Sequence, residues 1–372
     1  MNGLIVRPIS SKHDTIAFIR FLWKVYRNYP AWVPPLMMDR KKLMDQAKNP
    51  FYKHSDAEFY LAERDGAVVG RIAAIINHNH NKEHSENIGF FGFFECINDQ
   101  MVANALFDTA KKYLNEHDVT AMRGPVNPSV NDEIGLLIEG FDLSPTVMMT
   151  YNPPYYVDLI ENYGFKKVKD LYAYLLDQRK VYTDRFNRAH ELVKQRQKIS
   201  FRTFDMKHFK TEVEKVKEVY NKAWSRNWGA VPMTDEEFDA LAADLKQVIV
   251  PELVIIAEKE GKAIGFALSL PDINVALKYN KNGHIIPALY YLFTKKKEID
   301  LVRILVLGVI PEYLSTGAGA ALFYETAINA KKLGYGYGEA SWILEDNEPM
   351  VKSAEAMQGK ITKRYRIYEM SL

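Results

Sequence analysis

The chain has 372 residues, 47% apolar and 26% charged, a balance that excludes disordered and collagen-like proteins. Its length is about twice that of a usual domain, so we expect two domains. Basic and acidic residues nearly cancel to a net charge of +2, which disfavours nucleic acid binding. Cys96 is the only cysteine and the N-terminus lacks the apolar core of a signal peptide, so we expect a cytoplasmic protein. No stretch reaches the ~18 to 20 apolar residues of a spanning helix, so we expect at most peripheral membrane contact.

One pattern recurs along the chain at a constant spacing. Residues 62–70 read AERDGAVVG and residues 257–265 read AEKEGKAIG, which places the two turn glycines 195 residues apart. Each segment is an apolar run, an acidic-Gly turn and a second apolar run, which is typical of a β-hairpin. The same spacing separates three further pairs: Arg7 and Arg202, Asn152 and Asn347, Gly164 and Gly359. We infer two copies of one fold.

Each copy predicts the same elements in the same order. They are a short strand (4–8; 199–204), an amphipathic helix (14–28; 207–223), the hairpin, an apolar strand (88–97; 301–310), a helix (100–114; 318–333), a strand, a shorter helix and an aromatic-rich strand. Hairpins combined with strands that helices separate predict an α/β fold with a mixed sheet. We place the domains at residues 1–178 and 199–372, with a linker helix at 179–198.

A glycine loop follows the apolar strand of the second copy. Residues 315–319 read STGAG and lead directly into a helix. Glycines let an anion approach the backbone, and a helix N-terminus offers free N–H groups, which suits a pyrophosphate. The loop lacks both the Walker ending and the GxGxxG spacing, so nucleotide triphosphate hydrolysis and dinucleotide binding are disfavoured. Taken alone, such a glycine turn is more often only a tight connection.

With this loop, the second copy resembles the GCN5-related N-acetyltransferase superfamily. The resemblance rests on the strand end at 309–311, the loop at 314–319 and the segment from Asn347 to Gly359. It implies a tandem fold that binds coenzyme A or acyl-CoA and needs no metal. Two positions depart from the superfamily: Leu314 replaces a Gln or Arg, and Ala354 replaces a tyrosine acid. The predicted cofactor contacts are Val309, Ser315, Thr316, Gly317, Ala318, Gly319 and Asn347.

The first copy resembles the same fold but has no glycine at residues 98–104, so we expect its cofactor site to be lost. Its most unusual stretch, residues 123–137, reads RGPVNPSVNDEIGLL and is longer than a turn needs. An amine that attacks a thioester must lose a proton to a base. Glu133 and Asp132, beside apolar residues, could have a raised pKa, and Glu95 is a further candidate. The alternatives are turn or cap roles for Asn131 and Asp132, and an ion pair for Glu95.

This stretch, followed by NPPYY at 152–156, resembles a group of tandem bacterial acyltransferases that includes bacterial ceramide synthases. The resemblance implies an N-acyltransferase in which a primary amine, a sphingoid base or another small-molecule or lipid amine, attacks acyl-CoA directly. The alternative is a module that binds or senses acyl-CoA or a lipid without turnover. The predicted acceptor contacts are Asn127, Asn131, Asn152, Tyr155 and Tyr156.

Two further segments have open interpretations. His78 and His80 suggest metal ligands, but no Cys or carboxylate spacing completes a site, so a solvated loop is favoured. Residues 285–297 are apolar and aromatic and end in three lysines. They could lie at a lipid interface or line an acyl channel, but an insertion helix packed on the core is favoured.

Overall fold

The computed structural model describes residues 3–181, 184–224 and 227–372, which form two compact units. Unit 1 comprises Met1–Asp170, Ala276–Thr294 and Lys363–Leu372, and unit 2 comprises Leu171–Val275 and Lys295–Thr362. The boundaries of these compact units differ from the predicted domain boundaries, because residues 276–294 and 363–372 pack with unit 1. The predicted domain boundaries stay a prediction, and part of the predicted linker helix, residues 182 and 183, lies outside the described residues.

Strands and helices make up most of the chain and are numbered from its N-terminus. The strands are β1 (Leu4–Pro8), β2 (Ser55–Arg64), β3 (Ala67–Asn77), β4 (Ile88–Cys96), β5 (Ala121–Gly124), β6 (Val126–Asn127), β7 (Glu133–Ile134), β8 (Leu136–Glu139), β9 (Lys166–Asp177), β10 (Ile199–Thr203), β11 (Val254–Lys259), β12 (Lys262–Pro271), β13 (Leu301–Val309), β14 (Tyr337–Leu344) and β15 (Lys360–Ser371). The helices are α1 (Lys12–Val25), α2 (Met37–Met44), α3 (His78–His84), α4 (Gln100–Asn115), α5 (Tyr156–Tyr163), α6 (Gln178–Val181), α7 (Asp184–Gln197), α8 (Phe209–Trp224), α9 (Asp235–Leu245), α10 (Asn274–Leu277), α11 (Ile285–Thr294), α12 (Ala318–Lys332) and α13 (Glu348–Ala356).

Each unit contains a mixed sheet. In unit 1 the strand order is β1-β2-β3-β4-β5-β15, with β8 also paired to β15. In unit 2 the order is β9-β14-β13-β12-β11-β10. The one parallel pair in the described part of each sheet is β4 with β5 in unit 1 and β13 with β14 in unit 2. Helix α4 packs on β3 and helix α12 on β11, β12 and β13. The predicted α/β class with mixed sheets is confirmed.

The internal repeat is visible in two features that both units contain, a hairpin and an ion-pair cluster. Both hairpin turns place two consecutive residues at positive φ, Asp65-Gly66 in unit 1 and Glu260-Gly261 in unit 2, as a tight type I′ turn requires. An arginine on the strand that pairs with the hairpin, β1 in unit 1 and β10 in unit 2, then pairs with one carboxylate from a helix and one from the hairpin. These clusters are Arg7 with Asp14 and Glu63, and Arg202 with Glu212 and Glu258.

The histidine-rich segment is a helix, so the predicted solvated loop is wrong. The side chain of Asn77 accepts a hydrogen bond from the N–H of His80 and starts helix α3. His80 is buried against the ring of Phe90 and lies 2.9 Å from a carboxylate oxygen of Glu86. Burial lowers the pKa of His80 to about 4. Within residues 3–181, 184–224 and 227–372, no group of three or more metal-ligating side chains is positioned to hold an ion.

Candidate functional site

Strands β13 and β14 of unit 2 start side by side and then separate. They pair from Leu301 and Tyr337 to Ile304 and Ala340, although both strands continue beyond these residues. A β-bulge on β13 at Leu305 accompanies the separation, because Leu268 and Ser269 of β12 pair with the residues on either side of it. Residues 305–308 are partly exposed. The separation leaves a slot beside β13 in which an extended ligand could pair with strand backbone.

The slot leads to the N-terminus of helix α12. Gly317 is the N-cap residue, with φ of 81°, and no side chain caps the helix from that position. The first helical hydrogen bond runs from the N–H of Ala321 to the carbonyl of Gly317 (3.0 Å). The N–H groups of Gly319 and Ala320 therefore have no acceptor within the helix. Thr316 Oγ1 donates to the Tyr313 carbonyl (2.6 Å) and thereby shapes the loop.

The loop has room for an anion at its backbone. A Cβ added to Gly319 would meet only Val309 Cγ2, at 3.9 Å, so no packing within unit 2 requires a glycine there. Gly317, in contrast, needs its glycine for the positive φ. Unpaired N–H groups, a helix dipole and open space together fit a pyrophosphate. The Asn347 side chain, another predicted cofactor contact, accepts a hydrogen bond from Met350 N–H (3.3 Å) and caps helix α13.

A polar trio that sequence reasoning missed lies where β13 and β14 separate. Arg303, Glu339 and Ser341 are all buried. Arg303 Nε donates to Ser341 Oγ (3.0 Å), and the Ser341 hydroxyl donates to Glu339 (3.0 Å). The detectable signal was a charged residue inside each of two otherwise apolar strands, since buried charges are rare without a specific role.

In unit 1 the corresponding slot is filled by the chain itself. Strands β4 and β5 pair only over three residues, after which β6 lies against β4. The N–H of Phe93 donates to Asn127 Oδ1 (2.5 Å), and a Cβ at Gly92 would lie 2.0 Å from the Val126 carbonyl oxygen. All nine residues of β4 are buried. An extended ligand therefore has no free strand edge here.

The N-terminus of helix α4 is also occupied. Asp99 accepts hydrogen bonds from the N–H groups of Met101 (2.9 Å) and Val102 (3.4 Å). Its second carboxylate oxygen accepts from Arg64 Nη1 (2.8 Å). The positions that a phosphate would need are thus taken by the protein's own carboxylate.

Glu95 lies in a buried network of unit 1. Its Oε2 accepts hydrogen bonds from the phenols of Tyr26 (2.8 Å) and Tyr156 (2.7 Å), and Arg71 Nη2 lies 3.5 Å from Oε1. Burial raises the pKa of Glu95 although Arg71 opposes the shift. The neighbouring Tyr155 hydroxyl donates to the Cys96 carbonyl (2.7 Å). Glu95 therefore has both the raised pKa expected of a catalytic base and the ion pair with an arginine that was the structural alternative.

Glu133 has the opposite electrostatics. Both carboxylate oxygens accept from Arg40, at 2.5 and 2.9 Å, and Asn127 Nδ2 donates to one of them at 3.1 Å. Burial alone would raise the pKa of Glu133, but the Arg40 guanidinium and the amide hold it below its ordinary value. The expected raised pKa of Glu133 is therefore wrong.

Three other predicted site residues are held by contacts within the chain. Asp132 accepts from the Ser129 hydroxyl (2.6 Å), which in turn accepts from the Asn131 N–H (3.2 Å). These bonds fit the alternative interpretation, in which Asn131 and Asp132 are turn residues. Asn152 accepts from the Leu137 N–H (2.7 Å) and donates to the Leu137 carbonyl (3.1 Å). Their roles as substrate contacts stay predictions.

No family model matches the chain, but two curated proteins are similar to it in sequence over nearly its full length. The bacterial ceramide synthase of Caulobacter vibrioides is 34% identical, with 99% of this chain and 98% of that protein covered. Protein YghO of Escherichia coli is 32% identical, with 99% and 95% covered. Among solved structures, a tandem GNAT protein from the clavulanic acid biosynthesis pathway matches with a TM-score of 0.57 at 12% identity over 99% of this chain and 98% of that one.

The mixed sheet of each unit and the structural match define a tandem GCN5-related N-acetyltransferase fold, as predicted. The identity of more than 30% over the full length shows that the chain belongs to the family that contains bacterial ceramide synthase and protein YghO.

Proposed function

We propose that the protein is an acyl-CoA-dependent N-acyltransferase with its cofactor site in unit 2. The observation that supports this most strongly is the slot beside residues 305–308, which leads to the N-terminus of α12, where the N–H groups of Gly319 and Ala320 have no helical partner. The amides of pantetheine suit the free edge of β13, and the pyrophosphate suits the N–H groups of Gly319 and Ala320. The identity to bacterial ceramide synthase supports the same function.

The proposed reaction is a direct transfer. The amine nitrogen attacks the thioester carbonyl carbon, a C–N bond forms, the C–S bond breaks, and coenzyme A leaves as a thiolate that takes up a proton. The nitrogen loses a proton to a base. No covalent enzyme intermediate is needed. Residue 354, where many superfamily members have a tyrosine, is a buried alanine, so the thiolate receives its proton from another donor.

Among the carboxylates, Glu95 is the proposed proton acceptor because its raised pKa makes it the stronger base. Glu133 stays ionised beside Arg40 and is proposed to position the acceptor, together with Asn127, Tyr155 and Tyr156. Asp132, Asn131 and Asn152 are proposed to support the same segment through their turn and backbone contacts. In unit 2, Glu339 is an additional candidate base.

The proposed acceptor is a primary amine with an apolar chain, such as a sphingoid base, since the relative named bacterial ceramide synthase has full-length similarity. A cytoplasmic location belongs to the same proposal. A second candidate is a protein that binds acyl-CoA or a lipid without turnover. The exposed Leu314, in place of a Gln or Arg anchor, and the alanine at 354 favour that candidate.

Amide formation from acyl-CoA and a panel of amines, followed by mass spectrometry, tests the proposal. Gly319→Asp places a carboxylate where the pyrophosphate would bind, and we expect at least about a 100-fold loss of turnover, since like charges cost several kcal/mol. An acidic residue in the first turn suits a helix, so the fold is retained. The matched control is Met101→Asp, the second residue of α4, which should keep full activity. Tight acyl-CoA binding without amide product would favour the non-catalytic alternative.

A further inference from the structure

Helix α11 exposes its apolar side. The predicted insertion helix is present, but its packing on the core is limited: Ala288 is buried, whereas Ile286 is 77% and Phe293 86% exposed. The ten residues from Ile285 to Thr294 include no charged side chain. The exposed large side chains recur at helical spacing and share one face: Ile285, Ile286, Leu289, Tyr290 and Phe293.

The segment before α11 holds the helix firmly on unit 1. The carbonyl of Gly283 accepts from Met37 N–H (2.9 Å), and the carbonyl of Lys281 accepts from Trp23 Nε1 (2.6 Å). The amide of Asn280 donates to the His284 carbonyl (2.9 Å), and Tyr279 stacks on Tyr291. Because its base is anchored, the apolar face of α11 is a fixed feature of the surface. Monomeric proteins rarely expose such a patch without a partner.

The charge around the helix indicates the kind of partner. Between Asp272 and Glu298 the sequence contains no acidic residue and five lysines, at positions 278, 281, 295, 296 and 297, of which Lys295 pairs with Glu298 at 2.6 Å. A symmetric dimer through α11 would bring the lysines of both copies together, and this repulsion opposes self-association. Aromatic and aliphatic side chains beside lysines are what a helix lying in an anionic membrane interface presents.

We propose that α11 docks unit 1 onto an anionic lipid surface, with Ile286 and Phe293 inserted among the lipids. The helix lies in the interface and does not cross it: within the described residues, no helix is long and apolar enough to span a bilayer. This inference concerns where the protein works and is independent of the proposed acyl transfer.

Sedimentation of the full chain with vesicles tests the docking. We expect binding to vesicles of phosphatidylethanolamine with phosphatidylglycerol, and at least about tenfold weaker binding to phosphatidylcholine alone. Ile286→Ser with Phe293→Ser should weaken binding to the anionic vesicles by about tenfold or more, because both side chains leave lipid. The matched control, Ile5→Ser with Met101→Ser, removes two apolar side chains that are exposed elsewhere on unit 1 and should bind like the wild type.

Acylation of a short water-soluble amine separates this inference from the proposed function, because Ile286→Ser with Phe293→Ser should leave that rate unchanged. Docking is overturned if the wild type does not bind anionic vesicles or if the double variant binds them equally well. It is also overturned if sedimentation velocity shows a wild-type dimer that this double variant dissociates, because α11 would then bind a second copy.

Discussion

Helix α4 of unit 1 begins behind the carboxylate of Asp99, whereas helix α12 of unit 2 begins at Gly317 without a side-chain cap. The strands before these helices also differ in whether their backbone is accessible. In unit 1 the side chain of Asn127 accepts a hydrogen bond from the backbone of β4, whereas residues 305–308 of β13 in unit 2 are partly exposed. The framework is otherwise repeated down to the ion-pair clusters of Arg7 and Arg202. A few side chains therefore decide whether one fold closes its slot or leaves it available.

The largest expected effect in this comparison is on the stability of the segment that fills unit 1. Glu133→Ala leaves the partly buried Arg40 guanidinium without its carboxylate and removes a hydrogen-bond acceptor from Asn127. We expect the free energy of unfolding to fall by about 2 to 4 kcal/mol. Urea unfolding of the wild type and the variant measures this loss. A change within error of zero would show that the pair does not hold the segment.

Acidification separates the ion pair from lost packing, with Glu133→Gln as the matched variant. Arg40 and Asn127 lower the pKa of Glu133 despite burial, so its stabilisation is present above the unfolded carboxyl value of about 4.3. The stabilisation is lost as the pH falls through the lower pKa of the folded state. The stability difference between the wild type and Glu133→Gln should therefore shrink in acid. A difference that does not depend on pH would point to packing instead.

A smaller effect is expected from opening the helix of unit 1. Asp99→Ala removes the cap of α4 and should lower the free energy of unfolding by about 1 kcal/mol. It should not create a coenzyme A site, because Asn127 still occupies the N–H of Phe93. Thermal denaturation with and without coenzyme A measures both outcomes. A second coenzyme A bound by this variant would mean that Asp99 alone closes unit 1.

Local patterns predicted the framework well. The hairpins were detectable because an acidic-Gly pair at positive φ joins two apolar runs within a dozen residues, as at Asp65-Gly66. Gly317 and Gly319, at the start of α12, were visible because two glycines directly follow an apolar strand and precede a helical pattern. The cap of α4 was also predictable, because an aspartate directly before a helical pattern is a standard start signal for a helix.

Contacts between distant residues could not be predicted. Asn127 lies 34 residues from Phe93, and Arg40 lies 93 residues from Glu133. Neither sequence spacing nor side-chain type indicates such a pairing, so the expected pKa of Glu133 had the wrong sign. The helix at His78–His84 was missed because its buried side depends on Phe90 and Glu86, which follow it in the chain.

The stoichiometry of coenzyme A binding, measured by isothermal titration calorimetry, tests most directly the claim that unit 2 alone holds the cofactor. We expect one molecule per wild-type chain, no detectable binding by Gly319→Asp and unchanged binding by Met101→Asp. Two molecules per chain, or one that persists in Gly319→Asp, would contradict a single coenzyme A site in unit 2.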